Sequence, residues 1–199
     1  MSMHHSLFYN TTHRTPNVTG PKGAKIETIN NVAWTISHRL IQSTGSLNWN
    51  HIGNYYDYGN KEINNGVLHM HHAVDKAPPS IFTDGNKIVA VNSNTSRGLT
   101  PVIELNTDNR KSHRYFQNAQ GHIIGEQLKS NYFTNTQHPL LGNPIPVQSA
   151  EAAFQSVKSD VGCNARLNAD GSVSDNKDVL DTKYTRSFRY CSHTKRARL

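Results

Sequence analysis

Cysteine is almost missing from this 199-residue chain: Cys163 and Cys191 are the only two, and neither sits in a CxxC or Cys/His cluster. That spacing excludes a zinc ribbon or a disulfide scaffold, while one bridge and two free buried thiols are both compatible with it. Long apolar runs are missing as well. The longest are of the size of Ile88-Val89-Ala90-Val91, far short of the roughly 20 residues that cross a bilayer as a helix. Met1-Ser2-Met3-His4-His5-Ser6 lacks a basic stretch leading into an apolar one, so the chain reads as cytoplasmic when synthesised, or as exported by a route that needs no such signal. Charge is scarce too, at 18% of residues against 35% hydrophobic. This excludes an acidic disordered polymer and a highly charged solvated helix.

Neutral polar residues fill the space that charge leaves. The chain holds 22 Asn, 17 Ser and 16 Thr, which favour turns, short strands and side-chain bonds to the backbone over long helices. The length suits one domain, residues 1–199. Residues 1–31, with Pro16, Gly20, Pro21 and Gly23, read as an extended N-terminal arm. Val32 to Gln42 reads as a strand or strand pair, Asn48 to Gly66 as a loop, and Val67 to Val74 as a strand. Ile81 to Val91 around Asp84-Gly85 carries a hairpin signal, and Val102 to Leu105 reads as another strand. Ser149 caps a helix with Ala150, Ala153, Phe154, Val157 and Val161 at helical spacing, and Ile124 with Leu128 suggests a shorter one. No internal repeat is evident. The predicted class is α+β, with mostly antiparallel strands, one or two short helices, and a basic C-terminal tail over 183–199.

The most distinctive local feature is Gln120-Gly121-His122-Ile123-Ile124-Gly125-Glu126-Gln127-Leu128, which follows the basic tract Arg110-Lys111-Ser112-His113-Arg114. It resembles the His motif of the DNA/RNA non-specific endonucleases of the ββα-metal, or His-Me finger, group. Thr83 to Val91 is similar to the hairpin that precedes that motif, so the resemblance spans residues 81–161. It implies a metal-dependent nuclease in which His122 is the general base and one Mg²⁺ stabilises charge on the phosphate. Asn143 or Glu151 would be the metal ligand, and Arg110 or Arg114 would hold the scissile phosphate. Two departures stand out: Ala119-Gln120 replace the family's acidic or arginine residue, and Ala152-Ala153 replace its second Asn. The net charge of +7 suits nucleic acid as the partner.

His69, His71 and His72 form a second cluster. In a strand, His69 and His71 project on one face at a spacing that allows a shared cation, with no third ligand evident from spacing. A structural or pH-sensing role is the alternative. A second reading of the whole chain comes from Asn143-Pro144, Ser149-Ala150 and Phe154-Gln155-Ser156, which are similar to the helix region of the cypovirus polyhedrins. That resemblance implies a viral structural protein that assembles with itself into an occlusion-body lattice in the host cytoplasm, without an active site or cofactor. Tyr55, Tyr56 and Tyr58 would then be contact anchors.

Overall fold

A computed structural model describes residues 1–12, 14–36, 40–57, 69–72, 74–89, 102–117, 123–159, 166, 167, 169, 170 and 172–174. The strands are short because the β-formers come in runs of three to five, each ended by a residue that turns the chain. They follow in the order β1 (Ser2–His4), β2 (Leu7–Tyr9), β3 (Asn17–Gly20), β4 (Lys25–Ile29), β5 (Val32–Trp34), β6 (Gln42–Gly45), β7 (Asn48–Ile52), β8 (Tyr55–Asp57), β9 (His69–His72), β10 (Ser80–Asp84), β11 (Lys87–Val89), β12 (His113–Gln117) and β13 (Ile123–Gln127). Each strand through β12 pairs in parallel with the strand three places before or after it. Sheet A is therefore β1-β4-β7-β10, sheet B is β2-β5-β8-β11, and sheet C is β3-β6-β9-β12 with β13 added. The chain winds through A, B and C once per coil and stacks four coils, about 4.8 Å apart. This is a parallel β-helix.

The winding overturns the antiparallel expectation, and the Asp84-Gly85 corner shows why. A two-residue hairpin turn of type I′ needs positive φ at both central residues. Here Gly85 has φ 62° while Asn86 does not share it, so the chain turns a corner instead of reversing. Strand β11 then pairs with β8 and not with β10. The same corner recurs in every coil, with His5, Asn30, Gly53 and Gly85 at φ 50°, 52°, 58° and 62°. A repeat is thus present: Ile26 to Trp34, Trp49 to Asp57 and Ile81 to Val89 align residue for residue. At Gly53 the left-handed backbone is reinforced by crowding, since a Cβ would meet the Asn30 amide and the Gln148 carbonyl.

Behind that left-handed residue stands an asparagine in three of the coils. Asn31 Nδ2 donates to Asn54 Oδ1 at 3.1 Å, and Asn54 Nδ2 donates to Asn86 Oδ1 at 2.8 Å. The Asn86 backbone N–H then donates to Asn109 Oδ1 at 2.8 Å. The backbone N–H groups of Ser6, Asn31 and Asn54 donate to the amide oxygen one coil on. An amide carries both donors and acceptors, so an in-register column of them satisfies itself.

The interior is filled by Ile26, Trp49 and Ile81 from sheet A, Ala33, Tyr56 and Ile88 from sheet B, and Val18 from sheet C. The open edges of the fourth coil are covered in three ways. Strand β13 pairs antiparallel with β12, Thr134 N–H donates to the Ile81 carbonyl, and Asn106 bonds both backbone groups of Ile88. Such caps prevent edge-to-edge association. Asn106 lies on α1 (Val102–Thr107), where a strand was expected. The tertiary cap, with Leu105 in the core, outweighs the strand preference of Val102 and Ile103. Conversely, the helix expected at Ile124 to Leu128 is β13, because the β-branched pair Ile123-Ile124 meets a free sheet edge.

Two further expectations are corrected. Residues 1–31 are the first coil and the start of the second, not an arm, and Asn48 to Asp57 supplies β7 and β8 instead of a loop. The helix capped by Ser149 is present as α2 (Ala150–Ser159), with Ser149 Oγ accepting from Ala152 N–H at 3.2 Å. It packs outside sheet B, where Phe154 stacks on Tyr55 and Trp34 with ring centroids 4.4 and 5.5 Å apart. Residues 134–148 lead to it across the outside of sheet A, tied down at Asn50, Glu27 and Asn30 in turn. A strand pair, Arg166–Leu167 with Val173–Ser174, follows α2. The basic tail, both cysteines, Tyr58 and Val161 lie outside the described residues.

Candidate functional site

Alternation along β9 turns His69 and His71 inward together, as their spacing predicts. What spacing does not reveal is the company they meet. Strand β7 of sheet A sends in His51, which occupies the column of Thr28 and Thr83, and the start of β12 sends in His113 beside His69. All four imidazoles are buried: His51, His69 and His113 are 0% exposed and His71 is 2% exposed. Ring centroids are 4.4 Å apart for His51 and His69, 4.7 Å for His69 and His113, and 5.3 Å for His51 and His113. Trp49, Tyr56 and Phe133 wall the chamber.

The hydrogen bonds are uneven. His51 is held at both nitrogens, by Tyr56 Oη at 2.7 Å from Nε2 and by Thr83 Oγ1 at 3.1 Å from Nδ1. His71 is also held at both, by Ser43 Oγ at 2.7 Å and by His113 Nδ1 at 2.9 Å. In contrast, both nitrogens of His69 and Nε2 of His113 are buried with no hydrogen-bond partner among the described residues. Burial disfavours the charged form, and each imidazolium would also repel its neighbours. Both effects push His51 and His71 down to about 3 and hold His69 and His113 well below the usual histidine range. The rings are neutral at physiological pH, and those of His69 and His113 keep nitrogens that no hydrogen bond among the described residues uses. His51, His69 and His113 each offer a nitrogen, all within 4.8 Å of one another, so the three could hold a metal ion.

The residues singled out from the nuclease resemblance are spread over the molecule. His122 lies outside the described residues. Arg110, in a 3-10 turn over Asn109–Ser112, donates through Nε to Asp108 at 2.9 Å. It lines a pocket of about 560 Å³ with Asp84, Asn106 and Asn135. Arg114 is on β12 in sheet C, half-buried, and that burial lowers its pKa. Asn143 is exposed on the segment that crosses sheet A, and Glu151 is exposed on α2, 3.7 Å from Lys87. Neither metal-ligand candidate is in the histidine chamber. His51 and His113 escaped the sequence reading, although aligning the coils puts His51 at an inward position.

A second feature lies on the outside of sheet C. The register aligns Thr19 with Thr44 and Thr44 with His72, and His72 packs on Phe116 with centroids 3.8 Å apart. This row runs across all four coils, and Phe116 at its end also lines a pocket of about 540 Å³ with Asp75, Lys76, Glu126, Lys129 and the inward-facing His71 and Tyr115. Tyr132 donates to Asp75 at 3.0 Å and so orients that carboxylate. Connections between coil strands differ sharply by corner. From A to B they are two residues each, whereas sheet B leads to sheet C through residues 10–16, 35–41, 58–68 and 90–112.

No protein-family profile matches this chain, and no curated protein matches it. Among the described residues no helix is long and apolar enough to cross a membrane.

Proposed function

We propose that this chain is a β-helical binding protein for a linear, hydroxyl-rich polymer, a polysaccharide, laid along the outer face of sheet C. The observation that carries this reading is the in-register row Thr19, Thr44, His72 and Phe116, whose last residue also lines the pocket with Asp75 and Glu126. In stacked-coil proteins per-coil insertions map to one face, often the binding one, and here the longer connections are those that lead from sheet B into sheet C. Regularly spaced coils offer one contact per step, which matches a ligand that itself repeats. Hydroxyl donors and acceptors meet sugar hydroxyls, and the Phe116 ring offers an apolar platform.

The balance of charge favours sugar over nucleic acid. A nucleic-acid face is a basic stripe that neutralises successive phosphates. Around this row the described cations are Arg14, which donates to Gln42 on β6, Arg114, Lys76 and Lys129, with Asp75 and Glu126 among them, and no Lys or Arg stands in the row itself. Mg²⁺ belongs to the nuclease reading, and its oxygen-rich coordination would have to come from groups such as Asn143 and Glu151.

The test is affinity electrophoresis of the full chain through gels containing neutral or acidic polysaccharides, with Phe116→Ala and Thr44→Arg beside the parent. Retardation by at least one polysaccharide, weakened about tenfold or more in both variants, is expected. Absence of retardation, together with Mg²⁺-dependent cleavage of plasmid or RNA that His122→Ala abolishes, would overturn it in favour of phosphodiester chemistry. Large particles at neutral pH that dissolve at alkaline pH, again without retardation, would overturn it in favour of a lattice protein.

A further inference from the structure

We propose that the histidine chamber is a binding site for a late first-row divalent cation of the zinc class, with His69 and His113 as anchoring ligands and His51 as the third. The argument begins from the nitrogens left over. A buried nitrogen without a partner loses its water and gains nothing in return, and such groups are rare in folded proteins. Three of them lie here, two on His69 and one on His113, in a chamber walled mainly by aromatic rings, and one nitrogen from each of these rings comes within 4.8 Å of the other and of one on His51. A cation satisfies a bare imidazole lone pair directly.

The neighbouring residues are arranged as a metal-ligating histidine requires. Ser43 Oγ lies 2.7 Å from His71 Nδ1, and His71 Nε2 lies 2.9 Å from His113 Nδ1. If His113 Nδ1–H donates to His71 and His71 Nδ1–H donates to Ser43, both rings are fixed and His113 Nε2 is left as a bare lone pair. Hydrogen bonding at the far nitrogen sets the ligating tautomer in this way. His51 joins by exchanging one of its two hydroxyl partners, Tyr56 or Thr83, for the ion.

The donor set selects the cation. Three imidazoles and no carboxylate suit Zn²⁺, Co²⁺, Ni²⁺ or Cu²⁺, while Mg²⁺ and Ca²⁺ need oxygen ligands. His51 and His69 belong to the third coil and His113 to the fourth, so one ion would tie sheet A to sheet C and one coil to the next. Because the ligands are fully buried, the ion enters while the chain folds.

The full chain is therefore unfolded with chelator present, then refolded with EDTA, Mg²⁺, Zn²⁺ or Co²⁺ and desalted over a chelating resin. Expected are one retained Zn²⁺ or Co²⁺ per chain, no retained Mg²⁺, a higher melting temperature with the ion, and a visible Co²⁺ spectrum of nitrogen coordination. Ser43→Ala should weaken affinity about tenfold or more, His69→Leu should abolish retention, and His4→Ala, at an exposed position in the first coil, should leave it unchanged. No retained ion with identical melting temperatures would overturn the proposal. So would full retention by His69→Leu, or a thiolate charge-transfer band placing Co²⁺ on Cys163 or Cys191. If His69→Leu does not fold, the Co²⁺ spectrum of the parent decides.

Discussion

Two columns of buried polar side chains run through the same coils, and they end in opposite ways. At the corner between sheets A and B, Asn31, Asn54 and Asn86 hand hydrogen bonds from coil to coil, and Asn109 closes the series. Inside the third and fourth coils, His51, His69, His71 and His113 are packed as closely, yet three of their nitrogens have no partner among the described residues. The difference is chemical. A primary amide has two donors and an oxygen with two lone pairs, so identical copies in register complete one another. A neutral imidazole has one donor and one acceptor at fixed directions, and copies brought from different sheets do not. The ladder is a structural device that its repetition explains, whereas the chamber carries a cost that repetition does not explain.

Acid should break the contrast most strongly. The folded histidines of the chamber have pKa values pushed far below the ordinary value near 6.5, so below that pH the unfolded chain binds protons that the folded one refuses. Their contribution is fully present above about pH 6.5 and is lost as pH falls below it. Among the described residues no carboxylate contacts the chamber; Trp49, Tyr56, Phe133, Thr83, Ser43 and Asn86 surround the rings, with His72 next to His71. Four such groups lose stability at roughly 5 kcal/mol per pH unit together. Urea unfolding at pH 7.5, 6.5 and 5.5 checks this, and a flat profile would show that the rings are solvated.

Next in size is Asn54→Leu. It strands Asn31 N–H, the Asn31 amide and the Thr28 carbonyl, all of which Asn54 now serves. A loss of about 4 kcal/mol is expected at roughly 1 to 3 kcal/mol per stranded group, read from the urea midpoint at pH 7.5. A loss under about 1 kcal/mol would mean that water replaces the ladder. The smallest effect belongs to His69→Leu in metal-free protein, where the ring has no hydrogen bond to lose. Stability should stay level or rise by about 1 kcal/mol, and the acid slope should fall by one proton. A loss like that of Asn54→Leu would erase the distinction between the two columns.

Parts of this architecture are legible in the residues. Ser149 with Ala150, Ala153, Phe154 and Val157 identifies α2 because a cap and an apolar stripe are local signals. His69 and His71 announce a shared inward face because alternation is local too. The hairpin reading at Asp84-Gly85 went astray because the same residues serve a reversal or a corner, depending on whether one residue or two adopt positive φ. Val102 to Leu105 was misread because its helix exists to let Asn106 and Leu105 cap the fourth coil. The repeat was hidden by corner connections that grow from residues 10–16 to residues 90–112, which destroys any constant period.

Composition and local pattern alone determined a strand-rich chain with one well-capped helix, turns set by glycine and asparagine, and no apolar run of helical membrane length. Tertiary structure alone decided that the strands stack in parallel, that His51 and His113 meet His69, and that Thr19, Thr44 and His72 form one row. The stacking, the row and the meeting of His69 with His113 rest on contacts between residues a full coil or more apart in sequence, and His51 reaches His69 from the opposite side of one coil. Such contacts depend on closing long loops and on the register between distant strands, and neither is written in any short stretch of the chain.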